Sequence, residues 1–145
     1  MLRRCNHRGQ ALIWVAILLP LFLALVGLVF DGGLLWQQYL RARWAVSSAG
    51  VAAASEIDPG TLAQNGRMVL KPEALNTASR YAHRNDPALR ITSVRIVTQD
   101  GQQHIETQGW TYADTVFLKL FGVSGFRINV QAVERPAWGV DSEGQ

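Results

Sequence analysis

From Ala11 to Phe30 the chain carries no charged residue and no strongly polar one. At 1.5 Å per residue such a run makes a helix about 30 Å long, the thickness of a bilayer's hydrocarbon core. A small domain seldom encloses a helix that is apolar on every side. Three readings compete for the run: a secretion signal to be removed, a pilin-type leader cut between Gly9 and Gln10, and a permanent anchor. A secretory apolar region is shorter, about 7–15 residues, and ends at a small-x-small cleavage site. No such site follows Phe30 directly, and Ala52, Ala53 and Ala54 lie far beyond it. Residues 11–30 are therefore expected to form a transmembrane helix, with the lipid bilayer as its first partner.

The flanking residues give the helix a direction. Arg3, Arg4 and Arg8 precede it, and Asp31, Gly32 and Gly33 follow it. The positive-inside bias then makes residues 1–10 a basic cytoplasmic leader and places everything beyond Asp31 on the far side. The formal net charge of +3 resides in that leader, because acids and bases balance from Asp31 onward. No basic face remains for phosphates, so nucleic acid is not an expected partner. Pro20 removes one helix hydrogen bond, which membrane helices tolerate. The single cysteine, Cys5, falls in the leader and leaves the exported part without a disulfide.

Beyond the span, residues 31–54 read as an alanine-rich helix, with Gly32 and Gly33 as a soft joint at the interface. Trp36, Tyr39 and Trp44 suit headgroup level or a partly buried helix. Ala45, Ala49 and Ala53 form a small-xxx-small stripe that admits another backbone closely. Two uses of the stripe stand open: packing on the protein's own sheet, or docking on a neighbouring helix.

Residues 55–136 read as an extracytoplasmic α+β domain, followed by a loose tail over 137–145. Asp58-Pro59-Gly60 and Asn65-Gly66 signal loops. A helix is predicted from Pro72, its apolar side made by Leu75, Ala78 and Tyr81 or Ala82, and stopped by His83–Pro87. Leu89–Thr98 and Gln102–Trp110 are predicted strands joined at Asp100-Gly101, a strong two-residue hairpin signal. Asp114 is expected to cap a short helix that presents Phe117, Leu120 and Phe121 on one face and ends at Gly122. In the last strand Phe126, Ile128, Val130 and Ala132 face one way, and Arg127, Asn129 and Gln131 the other. The expected fold is thus α+β: a transmembrane helix extending into a long helix packed on a small antiparallel sheet.

Reactive chemistry is sparse. His7, His83 and His104 are scattered, and with one cysteine no Cys/His metal cluster is expected. His104 and Glu106 share a strand face, which a solvent-facing pair explains. There is no G-x-S-x-G elbow, and Gly122 and Gly125 lack the Lys-Ser/Thr of a phosphate loop. No catalytic residue, cofactor or small-molecule substrate is expected. A membrane-tethered hydrolase or sensor would instead require a buried polar cluster near His104 or Asp114. Asp31, the one acid at the membrane boundary, has three readings: a partner contact, a cap, or simple interfacial placement.

Arg8-Gly9-Gln10-Ala11, Pro20, Asp31-Gly32-Gly33 and Ala52-Ala53-Ala54 occupy an order and spacing that resembles the N-terminal region of TadE/TadG-like proteins of Tad (tight adherence, Flp-type) pilus systems. The likeness covers about the first 54 residues, and loosely residues 110–134, where a short Phe/Leu helix, a glycine and a final strand follow one another. It implies a bacterial inner-membrane protein that assists pilus assembly or anchoring by scaffolding, with other pilus-assembly proteins or pilin subunits as partners. Processed pseudopilins of this kind carry glutamate five residues after the cleavage glycine. Counted from Gly9, that place holds Trp14. Arg43, Trp44 and Ser47 likewise stand in place of the Gln, Asn and Asp usual to the family in the alanine-rich helix. These departures favour the unprocessed, TadG-like pattern over a minor pilin cleaved after Gly9 and built into the fibre.

Overall fold

The computed structural model describes residues 7–135, with side chains from Ala11. Arg3, Arg4 and Cys5 of the leader and the tail 137–145 lie outside the described residues, as do the side chains of Arg8 and Gln10. Helix α1 runs from His7 to Ala54 with Pro20 inside it. Gly32 and Gly33 also lie within this continuous helix, so the expected joint is no break. The physical reason is cooperativity: a glycine costs a helix only about 1 kcal/mol, and the helix already formed on both sides carries the hydrogen-bond ladder through two of them.

Helix α2, Pro59–Asn65, stands where a loop was expected. Asp58 caps it, accepting from the Thr61 amide at 3.0 Å and the Thr61 hydroxyl at 2.5 Å. Pro59 opens the first turn, and Gly66 closes the last in a left-handed conformation. Asp-Pro and Asn-Gly mark helix ends as readily as turns, and here they bracket a short helix. Helix α3, Ala74–Asn85, begins two residues after Pro72. Its buried side is Ala74, Thr77, Ala78 and Ala82, whereas Leu75 and Tyr81 are largely exposed. The expected apolar face was too bulky: only the small side chains let this helix approach its neighbours closely.

Those neighbours include the alanine stripe of α1. Ala45, Ala49 and Ala53 lie in one buried cluster with Ala74, Ala78 and Ala82 of α3, together with Val46, Leu89 and Val130. The stripe is therefore filled from within the chain, and as a docking face for a neighbouring helix it has no exposed surface left. Asn85 Nδ2, donating to Ser48 Oγ at 2.9 Å, ties the end of α3 to α1.

Three strands complete the chain: β1 (Arg90–Gln99), β2 (Gln102–Asp114) and β3 (Gly125–Glu134), in the order β1-β2-β3. β1 and β2 pair antiparallel, with Ile96 opposite Ile105 and Gln99 opposite Gln102. Asp100 and Gly101 both take positive φ, 52° and 76°, as the expected two-residue turn demands. Ile105, Thr107, Gly109, Thr111 and Ala113 of β2 face inward and are buried. Gly50 of α1 sits so near this face that an added Cβ would lie 3.0 Å from Thr107 Oγ1. Ser47 donates to Glu134 Oε1 at 2.5 Å beside it. On the outer face Arg95 pairs with Glu106, and the Arg127 guanidinium lies 4.4 Å from the Trp110 ring centroid.

The chain divides into two compact units. One contains α1 up to Trp36 together with Asp114–Phe126; the other contains Gln37–Ala113 and the residues from Arg127 onward. The Phe/Leu segment expected inside the α+β domain thus groups with the apolar span.

Three predictions concern the second unit. Ile105→Ala should destabilise it by about 2–5 kcal/mol, the usual cost of a cavity at a fully buried isoleucine. The buried Thr107 hydroxyl has no hydrogen-bond partner among the described residues, so Thr107→Val should stabilise by about 1 kcal/mol. Urea unfolding of the detergent-solubilised chain measures both. Acid should weaken the same unit. The Thr61 hydroxyl and amide hold the Asp58 carboxyl below its ordinary value, and the Arg95 hydrogen bond does the same for Glu106. Lowered folded-state values mean stability fully present above the unfolded carboxylate range, near pH 4, and lost as pH falls through the folded values. Unfolding midpoints measured from about pH 6 to about pH 3 should decline less steeply in Asp58→Asn and Glu106→Gln than in the parent.

Candidate functional site

Among the described residues no three His, Cys, Asp or Glu side chains come together. His83 is exposed in the last turn of α3, and the half-buried His104 places Nδ1 3.1 Å from the Gln102 carbonyl oxygen. Glu106, its neighbour on that face, is engaged by Arg95 across the strand pair. Asp114 is exposed at the end of β2. The cap expected of it comes from elsewhere.

That cap is Asp31. Its side chain is 0% exposed, although it leaves the helix just after the apolar run. Oδ1 accepts from the amides of Val116 at 2.9 Å and Phe117 at 3.2 Å, and Oδ2 accepts from Leu118 at 2.7 Å. These amides lead into and open the 3₁₀ turn Leu118–Phe121, where a helix start leaves backbone donors without an internal acceptor. A carboxylate meets them with charge-assisted bonds, the stronger kind.

The rest of the segment is closed on itself. The Thr115 amide donates to the Ser124 carbonyl at 3.1 Å, and the Thr115 hydroxyl donates to the Val123 carbonyl at 2.5 Å. Gly122, in the left-handed region at φ 86°, lets the Val123 amide return to the Leu118 carbonyl. Phe117 anchors the segment to the span. Its ring meets Phe30 edge-on at 5.6 Å, and its Cβ, Cγ and Cδ1 would all lie 2.8 Å from a Cβ at Gly27. Only glycine leaves room there. Pro20, Leu23, Ala24 and Leu28 extend the same apolar groove, lined from the other side by Leu118, Leu120 and Phe121.

Of the positions singled out by motif, Asp31 and Pro20 both border the 116–121 segment, Asp31 at its amides and Pro20 at the far end of the groove, and the others lie apart from it. Gly33 is an exposed helical residue, Ala11 and Trp14 lie exposed on the span, and Ala45, Ala49 and Ala53 are core. Gly9 is within α1. Gly27 was missed. Its signal was a lone glycine within a run of large apolar residues, a pattern that marks close packing when it occurs in a helix.

Residues 9–50 match the model of the TadE-like protein family. The N-terminal region is TadE-like. The matched stretch begins at Gly9, contains Pro20, Gly27 and Asp31, and ends within the alanine-rich part of α1. It does not separate the TadE pattern from the TadG pattern. Neither a curated protein nor a solved structure matches the chain at a significant level. The TadE-like region contains a stretch long and apolar enough to cross a membrane, with side chains from Leu12 to Val26 exposed along it. One apolar N-terminal helix of this kind suits a membrane-anchored component of a Tad pilus system.

If Asp31 and Gly27 hold the Thr115–Ser124 segment, each should loosen it separately. Asp31→Ala should accelerate hydrogen exchange at the amides of residues 116–118 by on the order of tenfold, and Asp31→Asn by less, since one acceptor oxygen remains. Gly27→Leu should displace Phe117 and raise exchange there with Asp31 intact. Amides of the β1–β2 hairpin, read in the same detergent sample, should be unchanged.

Proposed function

We propose that this chain is a single-pass inner-membrane component of a Tad-type pilus system that acts by scaffolding rather than catalysis. The carrying observation is the coincidence of the TadE-like match with an apolar helix whose side chains stand uncovered. An uncovered helix of that length calls for lipid, and a family of pilus components supplies the setting. The arginines of the leader favour a cytoplasmic N-terminus, which leaves the α+β domain on the far side. There it would meet other pilus-assembly proteins or pilin subunits.

We infer further that the leader stays on. Trp14 is 58% exposed on the span where a processed pseudopilin carries glutamate. A buried acid in lipid needs a partner such as a neighbouring amino terminus, and an indole offers no such pairing. The protein would then be a permanent anchor, closer to the TadG-like pattern.

Intact mass of the membrane-extracted protein tests this reading. The expected species retains residues 1–9. A species beginning at Gln10 would instead make the chain a minor pilin released from its leader. A C-terminal reporter active only in the cytoplasm would reverse the orientation.

A further inference from the structure

The β2–β3 connection does not behave as a surface loop. Adjacent antiparallel strands are commonly joined by about 2–5 residues, and this connection runs from Thr115 to Ser124. Its excess length carries apolar side chains outward: Leu120 is 81% exposed, Phe121 72% and Val116 55%. From Thr115 to Phe126 the one charged residue is Lys119. Water is a poor medium for such a tip.

Its position along α1 gives the alternative. The groove that Leu118, Leu120 and Phe121 share with the span runs from Leu28 back to Pro20. Measured from Asp31, that is about 4 to 16 Å toward the middle of the apolar run at 1.5 Å per residue. Half of a bilayer's hydrocarbon core is about 15 Å. Most of the segment's backbone amides also find their acceptors within the chain. The amides of residues 116–118 go to Asp31, and those of residues 115, 120, 122 and 123 go to carbonyls within the segment. Irregular backbone at membrane depth is tolerated only where the protein buries it, so the segment can lie there only with its backbone turned to α1 and its side chains to the acyl chains. Lys119 has a stem long enough to carry its ammonium toward the headgroups.

We propose that the Val116–Val123 segment is a second membrane-inserted element, which dips beside α1 into the leaflet nearer Asp31 and is covered by lipid acyl chains. Asp31 is then a latch within the chain: it satisfies the amides that would otherwise face hydrocarbon. The proposal rests on the span itself lying in the membrane, as argued under the proposed function.

Depth-dependent quenching tests both levels. In a Cys5→Ser background, Leu120→Cys, Val116→Cys, Leu21→Cys and Gln102→Cys are each labelled with the fluorophore NBD. The full chain is then reconstituted into phosphatidylcholine–phosphatidylglycerol vesicles. Leu120 and Val116 are exposed, so replacing them leaves the packing in place. Labels at 120 and 116 should emit blue-shifted light and be quenched by acyl-chain doxyl lipids as strongly as at 21, several-fold more than at 102. Aqueous iodide should quench the label at 102 alone. Iodide quenching at 120 and 116 overturns the proposal, because the tip is then in water. Blue-shifted emission without doxyl quenching overturns it as well, because a protein covers the tip. If the label at 21 also escapes doxyl, the membrane reading of the span fails with it; if 21 is quenched and 120 is not, only this inference fails.

Discussion

The Asp31 carboxylate is the interaction on which the first unit depends. An ionised group without exposure is costly unless hydrogen bonds replace its hydration. Three backbone amides do so here, at 2.7 to 3.2 Å. The same bonds settle the amides' own requirement, since the start of a short 3₁₀ turn has no internal acceptor for them. Each side of the contact thus solves the other's problem. An asparagine offers one acceptor oxygen and no charge, and a glutamate would place its carboxylate one methylene further out. The shortness of aspartate matters as much as its charge.

Close approach is the second constraint, and small residues supply it in both units. Gly27 admits the Phe117 ring to the surface of the span; Gly50 admits Thr107 to the surface of the same helix further on. Ala45, Ala49 and Ala53 answer Ala74, Ala78 and Ala82 in the core. A core built of alanine buries little area per residue, about 25 cal/mol for each Å². Its strength lies in backbone proximity and in the number of contacts made at short range. That choice also explains why Leu75 and Tyr81 face out. A bulky side chain on the inner face of α3 would hold the helix away from α1 and open gaps beneath every alanine beside it.

Much of this was legible in the sequence, because the governing patterns are local. The uncharged run from Ala11 to Phe30, the Asp100-Gly101 turn and the alternation of Ile128, Val130 and Ala132 in β3 each report their structure within a few residues, although Phe126, expected on the same face, is exposed. The failures share a different cause. Asp58, Pro59 and Gly66 carry signals that serve a turn and a helix end equally, so α2 could not be told from a loop. The Asp31–Val116 contact joins residues 85 positions apart, and no periodicity encodes it. Asp114, four residues before the 3₁₀ turn, was the natural local candidate for the cap. The acid that does the capping is distant in sequence and near in space. Gly27 was visible as an anomaly, but only its partner Phe117 gives the anomaly meaning.

The placement of Asp31 also bears on what the TadE-like region is for. The matched stretch ends at residue 50, whereas the groups Asp31 holds lie in the β2–β3 connection, outside the match. If the aspartate at the exit of the span served only to mark the membrane boundary, an exposed side chain would suffice. Instead it is wholly buried and fully engaged within the chain. Its geometry therefore argues for an internal role, the closure of the apolar segment against the span.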